Sequence, residues 1–345
     1  MGFNKPRFRT SAFSAKHEFR HALTDWFSRE GKDYPWRRTT EPYAVLVSEI
    51  MLQQTQIATV LGKHHYTRFL EKFPDLAALA RADDESLLKA WEGLGYYRRA
   101  RMLRETARAV LDIHHGIFPH EEAELLKLPG IGPYTAAALR AFCFRQPSGL
   151  VDGNVSRIFA RMAADPSPVD SSAVIRKHRD WALDLCDPGD PATYQHAIME
   201  LGQTICRPGR PACERCPIAS FCACSEPEEL PRKKPPAVIS EIDEHALFCR
   251  DDEGLILLHQ ESGSRRNGMW KLPLRSPCEC AALEEIYSAS YMITRYRVSL
   301  RVFLLENSGG LEMRTGDRWV DPDAITALPF ATPYRKALNR ILENH

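Results

Sequence analysis

Cys206, Cys213, Cys216 and Cys222 are separated by six, two and five intervening residues, four thiols within seventeen residues. That density constrains the chain more than any other feature, because four thiolates so close imply a metal centre. Zinc suits four thiolates but usually takes two C-x-x-C knuckles, and one close pair is present here. Uneven spacing around one centre also suits a 4Fe–4S cluster. Spacing alone leaves both open, and Cys224 lies near enough to be a further ligand. A metal reading needs reduced thiols. No apolar run approaches the roughly 18–20 residues of a membrane span. The basic start, residues 1–20, lacks the apolar stretch of a secretory signal. A cytoplasmic compartment is therefore expected, and the ten cysteines are not read as disulfides.

The chain has 345 residues, 46 Lys plus Arg and 45 Asp plus Glu, for a net charge of +1. A global polycation is excluded, so any nucleic-acid surface must be a local patch. The length predicts two domains. Helical periodicity covers 16–30, 43–61, 75–80, 84–92, 97–114, 121–127, 134–143, 154–163, 172–186 and 190–204. Strand patterns are scarce before 236, so this part reads as all-α. SEPEELPRKKPPA, residues 225–237, reads as a linker. Beyond it, 245–249, 254–259 and 298–305 are β-like. A helical stretch is expected at 278–291 and another at 333–344, which gives a small α+β domain. The expected division is a disordered basic arm at 1–15, an all-α domain at 16–205, the cysteine loop at 206–224, the linker, and a final domain at 238–345.

LPGIGPYTAAALRAF, residues 128–142, sets two glycines around Ile131 ahead of a helical run. Gly130 and Gly132 permit positive φ and close backbone approach, and Pro133 suits a helix start. Helix, short glycine hairpin and helix form a helix-hairpin-helix, whose outward N–H groups can hold a DNA phosphate. A plain αα-turn is the bland alternative. No Gly-Lys-Ser/Thr follows, so this is not a nucleotide P-loop. Two carboxylates complete the pattern. Asp152 in LVDGNVSRIFAR precedes a helix and has the position of a simple N-cap. Glu49 in SEIMLQQTQ stands in a mostly apolar helix, where a Glu usually faces solvent.

The order PWR, SEIMLQQTQ, GLGYYRRAR, LPGIGPYTAAAL, VDGNVSR and C-x6-C-x2-C-x5-C resembles the adenine DNA glycosylases of the MutY type. These are helix-hairpin-helix glycosylases that carry a 4Fe–4S cluster. The resemblance is strong over residues 18–224 and weak over the C-terminal domain. It implies a mainly α glycosylase fold with an iron–sulfur loop held by Cys206, Cys213, Cys216 and Cys222, followed by a small α+β Nudix-like domain. It implies hydrolysis of the N-glycosidic bond of adenine mispaired with 8-oxoguanine or guanine in duplex DNA, through an oxocarbenium-like state. Glu49 is then the general acid at the adenine ring. Asp152 stabilises the sugar cation, with a transient covalent bond as a variant. Asn154 and Tyr134 orient these two groups. Relatives that cleave the strand place a Schiff-base Lys where Tyr134 stands, so a monofunctional enzyme is expected.

The same resemblance assigns DNA contacts. Gln54 and Thr55 probe the base pair, and Tyr96 wedges into the helix beside the lesion. Arg98, Arg99 and Arg101 are left for phosphates. Trp36 and Arg37 lie near the adenine pocket, and Gly130 and Gly132 form the hairpin. His196 stands where the family has Glu or Gln facing adenine. GSRRNGMWKLP, residues 263–273, is similar to the segment of the family's lesion-reading module. The family's His-x-Phe-Ser-His becomes Tyr291-Met292-Ile293-Thr294-Arg295. Thr294 keeps a hydroxyl, but Ile293 cannot stack as Phe does, so weaker discrimination of 8-oxoguanine is expected. Glu284 and Glu285 do not make the Glu-rich helix that pyrophosphate hydrolysis needs. A monomer is expected, with no membrane partner and no legible clamp-binding motif. The competing readings are a mismatch glycosylase for thymine opposite guanine and a non-catalytic iron–sulfur damage-binding protein.

Overall fold

The computed structural model describes residues 12–235, 238–263, 266–293, 295–306, 309 and 311–344. Thr294, and residues 1–11 of the expected arm, lie outside the described residues. Ala12 is fully buried and Phe13 meets Trp181 edge to face, so the described end of that arm, 12–15, is ordered against the core.

The helices are α1 (Lys16–Glu30), α2 (Pro42–Leu52), α3 (Ile57–Gly62), α4 (His65–Lys72), α5 (Leu76–Arg81), α6 (Asp84–Ala90) and α7 (Arg98–His114). They continue with α8 (Glu122–Leu125), α9 (Pro133–Phe142), α10 (Gly153–Met162), α11 (Ser172–Leu185), α12 (Pro191–Thr204), α13 (Pro277–Cys280) and α14 (Thr332–Asn344). The strands are β1 (Ser240–Cys249), β2 (Ile256–Gln260), β3 (Trp270–Lys271), β4 (Leu274–Arg275), β5 (Glu284–Ile293), β6 (Tyr296–Leu305) and β7 (Asp317–Val320). Among the described residues, no strand occurs before β1. None of the described helices is long and apolar enough to cross a membrane.

Contacts divide the chain into two units, Met1–Gln53 with Ala109–Pro236, and Gln54–Arg108 with Ala237–His345. In the first, a core of Phe19, Leu23, Trp26, Ile158, Phe159, Tyr194, Ile198 and Leu201 joins α1, α10 and α12, and Cys206, Cys216 and Cys222 pack against it. The cap of α2 is Glu41, whose carboxylate accepts from the Ala44 N–H at 2.7 Å, and Pro42 opens the helix. Asp190 and Ser171 cap α12 and α11 in the same way.

In the second unit, a four-stranded sheet has the order β4-β1-β6-β5 and a three-stranded one the order β3-β2-β7. The central β1–β6 pair is parallel, with Ser240 opposite Tyr296 and Cys249 opposite Leu305. Burial on both faces of Ala246 to Cys249 explains why 245–249 reads as a continuous apolar run.

Three expectations are corrected. The helix expected over 43–61 is broken: α2 ends at Leu52 and α3 starts at Ile57, with Gln54 left-handed at φ 57° between them. Ile50 and Ile57 are seven apart, so the apolar phase carries across the break and hides it. The helix expected over 278–291 ends at Cys280, and 284–293 is strand β5. The run Ala281 to Glu285 imitates a helix, but Tyr287, Ala289, Tyr291 and Ile293 alternate with more exposed residues at period two. Glu284 and Glu285 therefore open a strand, and Glu285 is bound to Arg301 at 2.7 Å. Helix α4, absent from the sequence reading, rests on His65, Tyr66 and Phe69, too few apolar positions to stand out.

Candidate active site

Helix α2 is buried from Val45 through Met51 without a solvent face. Glu49 is therefore taken out of water with its neighbours and keeps only 5% exposure. Burial pushes its carboxyl up to about 7, helped by Asp152 and opposed by a hydrogen bond from Tyr134. Tyr134 sits at the second position of α9, after Pro133. Burial and the two nearby carboxylates hold its phenol well above the usual range, so it is a neutral O–H donor to Glu49.

Asp152 is the N-cap of α10, its Oδ1 accepting from the Val155 N–H at 2.7 Å. The N-cap role and a place in the site thus coincide in one residue. Its Oδ2 accepts from Asn154 Nδ2 at 2.8 Å. Burial raises its pKa, while the two N–H donors and Arg157 pull the other way. Glu49, Tyr134, Asp152 and Asn154 thus fall together in the first unit, the first three joined by hydrogen bonding and mutual charge.

Two arginines on α10 stand behind these groups, and the sequence reading missed both. Arg157 Nη2 donates to Asn154 Oδ1 at 2.8 Å and to the Gly202 carbonyl at 2.7 Å, and its Nε donates to the Cys206 carbonyl at 2.8 Å. Arg161 donates to the carbonyls of Arg207, Gly209 and Leu230, with Nη1 3.4 Å from Cys206 Sγ. The signal was present, since Asn154, Arg157 and Arg161 fall three and four residues apart on one helix face. Gly202 matters for the same reason: a Cβ there would lie 2.6 Å from Asn154 Cβ.

Cys206, Cys213, Cys216 and Cys222, with Cys224, line a cavity of about 120 Å³. Burial and the neighbouring thiols push Cys216 up to about 12 and raise Cys222. Among the described residues no three His, Cys, Asp or Glu side chains converge into a ready-made single-ion site. Arg207, Arg210 and Arg215 between the cysteines are exposed.

The hairpin at 128–133 turns on Gly130 at φ 77°, and Gly132 caps α9 with no side-chain bond to its first N–H groups. Leu128 and Ile131 anchor it in the core. Trp36 is buried and stacked on Tyr34 at 5.2 Å. Arg37 pairs with the fully buried Glu200 at 2.9 Å and lies 4.6 Å from the Tyr34 ring centre. His196 stacks on Phe142 at 4.2 Å, and burial drives its pKa down to about 3, so the ring is neutral.

Gln54, Thr55 and Tyr96 belong to the second unit. There Arg99 Nη2 donates to Thr55 Oγ1 at 3.2 Å and to the carbonyls of Leu94 and Gly95 at 2.9 and 3.1 Å. Arg101 bonds Asp84 and the Asn267 carbonyl. Two of the three arginines expected at phosphates, Arg99 and Arg101, are thus spent on the protein, while Arg98 is exposed. Tyr96 is left-handed at φ 47° and 50% exposed, whereas Tyr97 is buried. Arg295 Nη2 reaches its neighbour Tyr296 Oη at 3.1 Å, at the turn between β5 and β6.

Residues 47–181 match the family model described as HhH-GPD superfamily base excision DNA repair protein. Among curated relatives, a human adenine DNA glycosylase is 43% identical over 213 residues, 59% of this chain and 39% of that protein. An adenine DNA glycosylase of Mycobacterium tuberculosis is 36% identical over 215 residues, 62% of this chain and 70% of that protein. One from Arabidopsis thaliana is 30% identical over 86% of this chain and 58% of that protein. The chain thus spans about two fifths of the length of the mammalian relatives. Among solved structures, a thermostable thymine-DNA glycosylase aligns with a TM-score of 0.55 at 26% identity, over 62% of this chain and 98% of its own. An endonuclease III–DNA covalent intermediate aligns at 0.51 and 22%, a likeness of fold alone, over 62% of this chain and 97% of its own. With 36% identity over 70% of the Mycobacterium tuberculosis relative and the matching family model, the chain belongs to the adenine DNA glycosylases of the helix-hairpin-helix base excision repair superfamily.

Proposed function

We propose that the protein is a monofunctional adenine DNA glycosylase acting on adenine opposite 8-oxoguanine or guanine in duplex DNA. The observation that carries this reading is the pair of buried carboxylates around Tyr134, with the proton held on Glu49 near neutral pH. Asp152 accepts two N–H bonds that favour its ionised form, and Glu49 has a single O–H donor. The pair is therefore split in function. Glu49 gives its proton to the adenine ring as the C1′–N bond breaks and the bonding electrons leave with the base. Asp152 faces the developing sugar cation. Water then adds at C1′ and returns a proton to Glu49. Tyr134 has no amine, so it forms no Schiff base and the strand stays intact.

The open N–H groups of α9 suit a DNA phosphate, and Tyr96 is the wedge that fills the gap left by the base. Cys206, Cys213, Cys216 and Cys222 would hold a 4Fe–4S cluster: the donors are all thiols, and the cavity has room for more than one ion. Bound there, it would fix the 206–222 loop against α10. The sheet and α14 of the second unit support a Nudix-like, lesion-reading assignment for residues 238–345. The contacts assigned to Trp36, Arg37 and His196 stay part of this reading, their side chains stacked on Tyr34, paired with Glu200 and stacked on Phe142 respectively. The reading places the protein on DNA in a reducing cytoplasm.

The test is single-turnover base release on duplexes carrying A opposite 8-oxoguanine, A opposite G, A opposite T and T opposite G. Adenine release from the first two, with strand breaks only after alkali, is the expected result. Release of thymine instead, or intact binding without release, would replace it with one of the competing functions. Iron and sulfide assays on the purified chain separate a cluster from zinc.

A further inference from the structure

The loop that ends in Tyr96 is held from below by the C-terminal part of the chain, all within the second unit. Tyr97 is buried beside the exposed Tyr96, and its hydroxyl donates to the Phe330 carbonyl at 2.9 Å. Glu92, at the start of the loop, accepts from Arg335 Nε at 2.8 Å and from Lys89 Nζ at 2.7 Å. Arg335 also donates to the carbonyls of Leu328 and Ile325, at 2.6 and 3.1 Å, and its guanidinium lies 4.3 Å from the Phe330 ring centre. Phe330 in turn bridges to Trp270 of β3, whose backbone N–H donates to the Pro329 carbonyl at 2.8 Å. The loop is thus tied at both ends to a segment that is itself bridged to strand β3 through Phe330.

Between the ties the backbone is strained. Gly93 and Gly95 lie at φ 97° and 69°, and Tyr96 at φ 47° is a non-glycine residue in the left-handed region. A Cβ on Gly93 would meet His65 Cε1 at 3.2 Å, so the loop also rests closely on α4. A strained, half-exposed aromatic keeps its pose only when its surroundings over-determine it. The ties at Glu92 and Tyr97 supply that constraint, and both originate in residues 328–335.

We infer that residues 328–335 clasp the 91–97 loop and fix the pose of Tyr96, so that Tyr97, Glu92 and Arg335 are positioning residues for opening the duplex. This deepens the proposed function and rests on Tyr96 being the wedge. It gives the C-terminal part of the chain a second task besides reading the opposite base, namely setting the wedge that separates the pair.

The test uses the full chain carrying Glu49→Gln, so that opening is seen without chemistry, on duplexes with 2-aminopurine beside the A opposite 8-oxoguanine pair. Binding should raise the 2-aminopurine fluorescence, and Tyr96→Ala should abolish the rise. Tyr97→Phe, which removes one hydroxyl, and Arg335→Met should each cut the rise at least by about half while duplex affinity stays within about twofold. In the Glu49 background, adenine release should fall by about tenfold in both. A full rise in both variants overturns the clasp, as does a full rise in Tyr96→Ala. A loss of rate that follows a lowered melting temperature with the rise intact also overturns it. If the parent chain releases no adenine but the rise still depends on Tyr97 and Arg335, the clasp stands and the glycosylase reading fails.

Discussion

Glu49 holds its proton because α2 offers it no water and Asp152 stands nearby, and the hydrogen bond donated by Tyr134 only partly offsets this. Its carboxyl is raised from an ordinary 4.5 to about 7, and the sign of the consequence follows. The acid form is needed for base release, so the rate of adenine release should fall as pH rises through about 7. Stability moves the same way. The contribution of buried, protonated Glu49 is full below about 4.5 and is lost as pH rises through about 7. Glu49→Gln should abolish base release, keep DNA binding, and raise stability at pH 8 by on the order of 1–3 kcal/mol in urea unfolding. Unchanged stability at pH 8 would mean that the carboxylate is solvated there. Tyr134→Phe removes the bond that lowers Glu49, so the alkaline limb of the rate profile should move to higher pH. A limb that stays in place would remove Tyr134 from the assignment. Asp152 was legible as an N-cap and is one. Glu49 was visible as a carboxylate in an apolar helix, but no spacing reveals that every side of that helix is covered.

Helix α10 is the element on which the site depends. Its N-cap is Asp152, its first turn holds Asn154, and Arg157 and Arg161 tie it to the cysteine loop. It packs closely enough on α12 that Gly202 has no room for a methyl group. Gly202→Ala should push Asn154 aside, cost roughly 1–3 kcal/mol in thermal or urea unfolding, and lower kcat more than duplex affinity. An alanine accommodated at no cost in either readout would show that α10 and α12 can shift freely. The long periodic helices α1, α7, α10, α11 and α12 were legible because each presents several turns of one apolar face. Strand β5 was not, because its first residues favour a helix and its pairing with β6 decides its state from a distance. The break at 53–56 was hidden for a different reason: it preserves the apolar phase while moving Gln54 and Thr55 onto a loop.

At the scale of the whole chain, the sequence marks one boundary, the Pro- and charge-rich 225–237 segment, whereas the contacts also divide the chain at 53/54 and 108/109. Neither of those points carries a change of composition, since the first falls within SEIMLQQTQ and the second inside α7. Contacts made by 84–101 with the C-terminal residues therefore have no local signal in the sequence. Their loss is testable by deletion. In a fragment ending at residue 236, Glu92 loses Arg335, Tyr97 loses the Phe330 carbonyl and Arg101 loses the Asn267 carbonyl. The buried Tyr97 hydroxyl left without its partner costs about 1–3 kcal/mol, and the part-exposed Glu92 and Arg101, which keep Lys89 and Asp84, less. Opening of 84–101 should then become local rather than global, and amide exchange there should speed up at least about tenfold. Exchange in 133–162, which has its partners in the first unit, should change far less. Equal protection of 84–101 in the fragment and the full chain would mean that these residues are held by the helical part alone. Faster exchange confined to them would mean that the helical segment carrying Tyr96 is completed only by residues far along the chain.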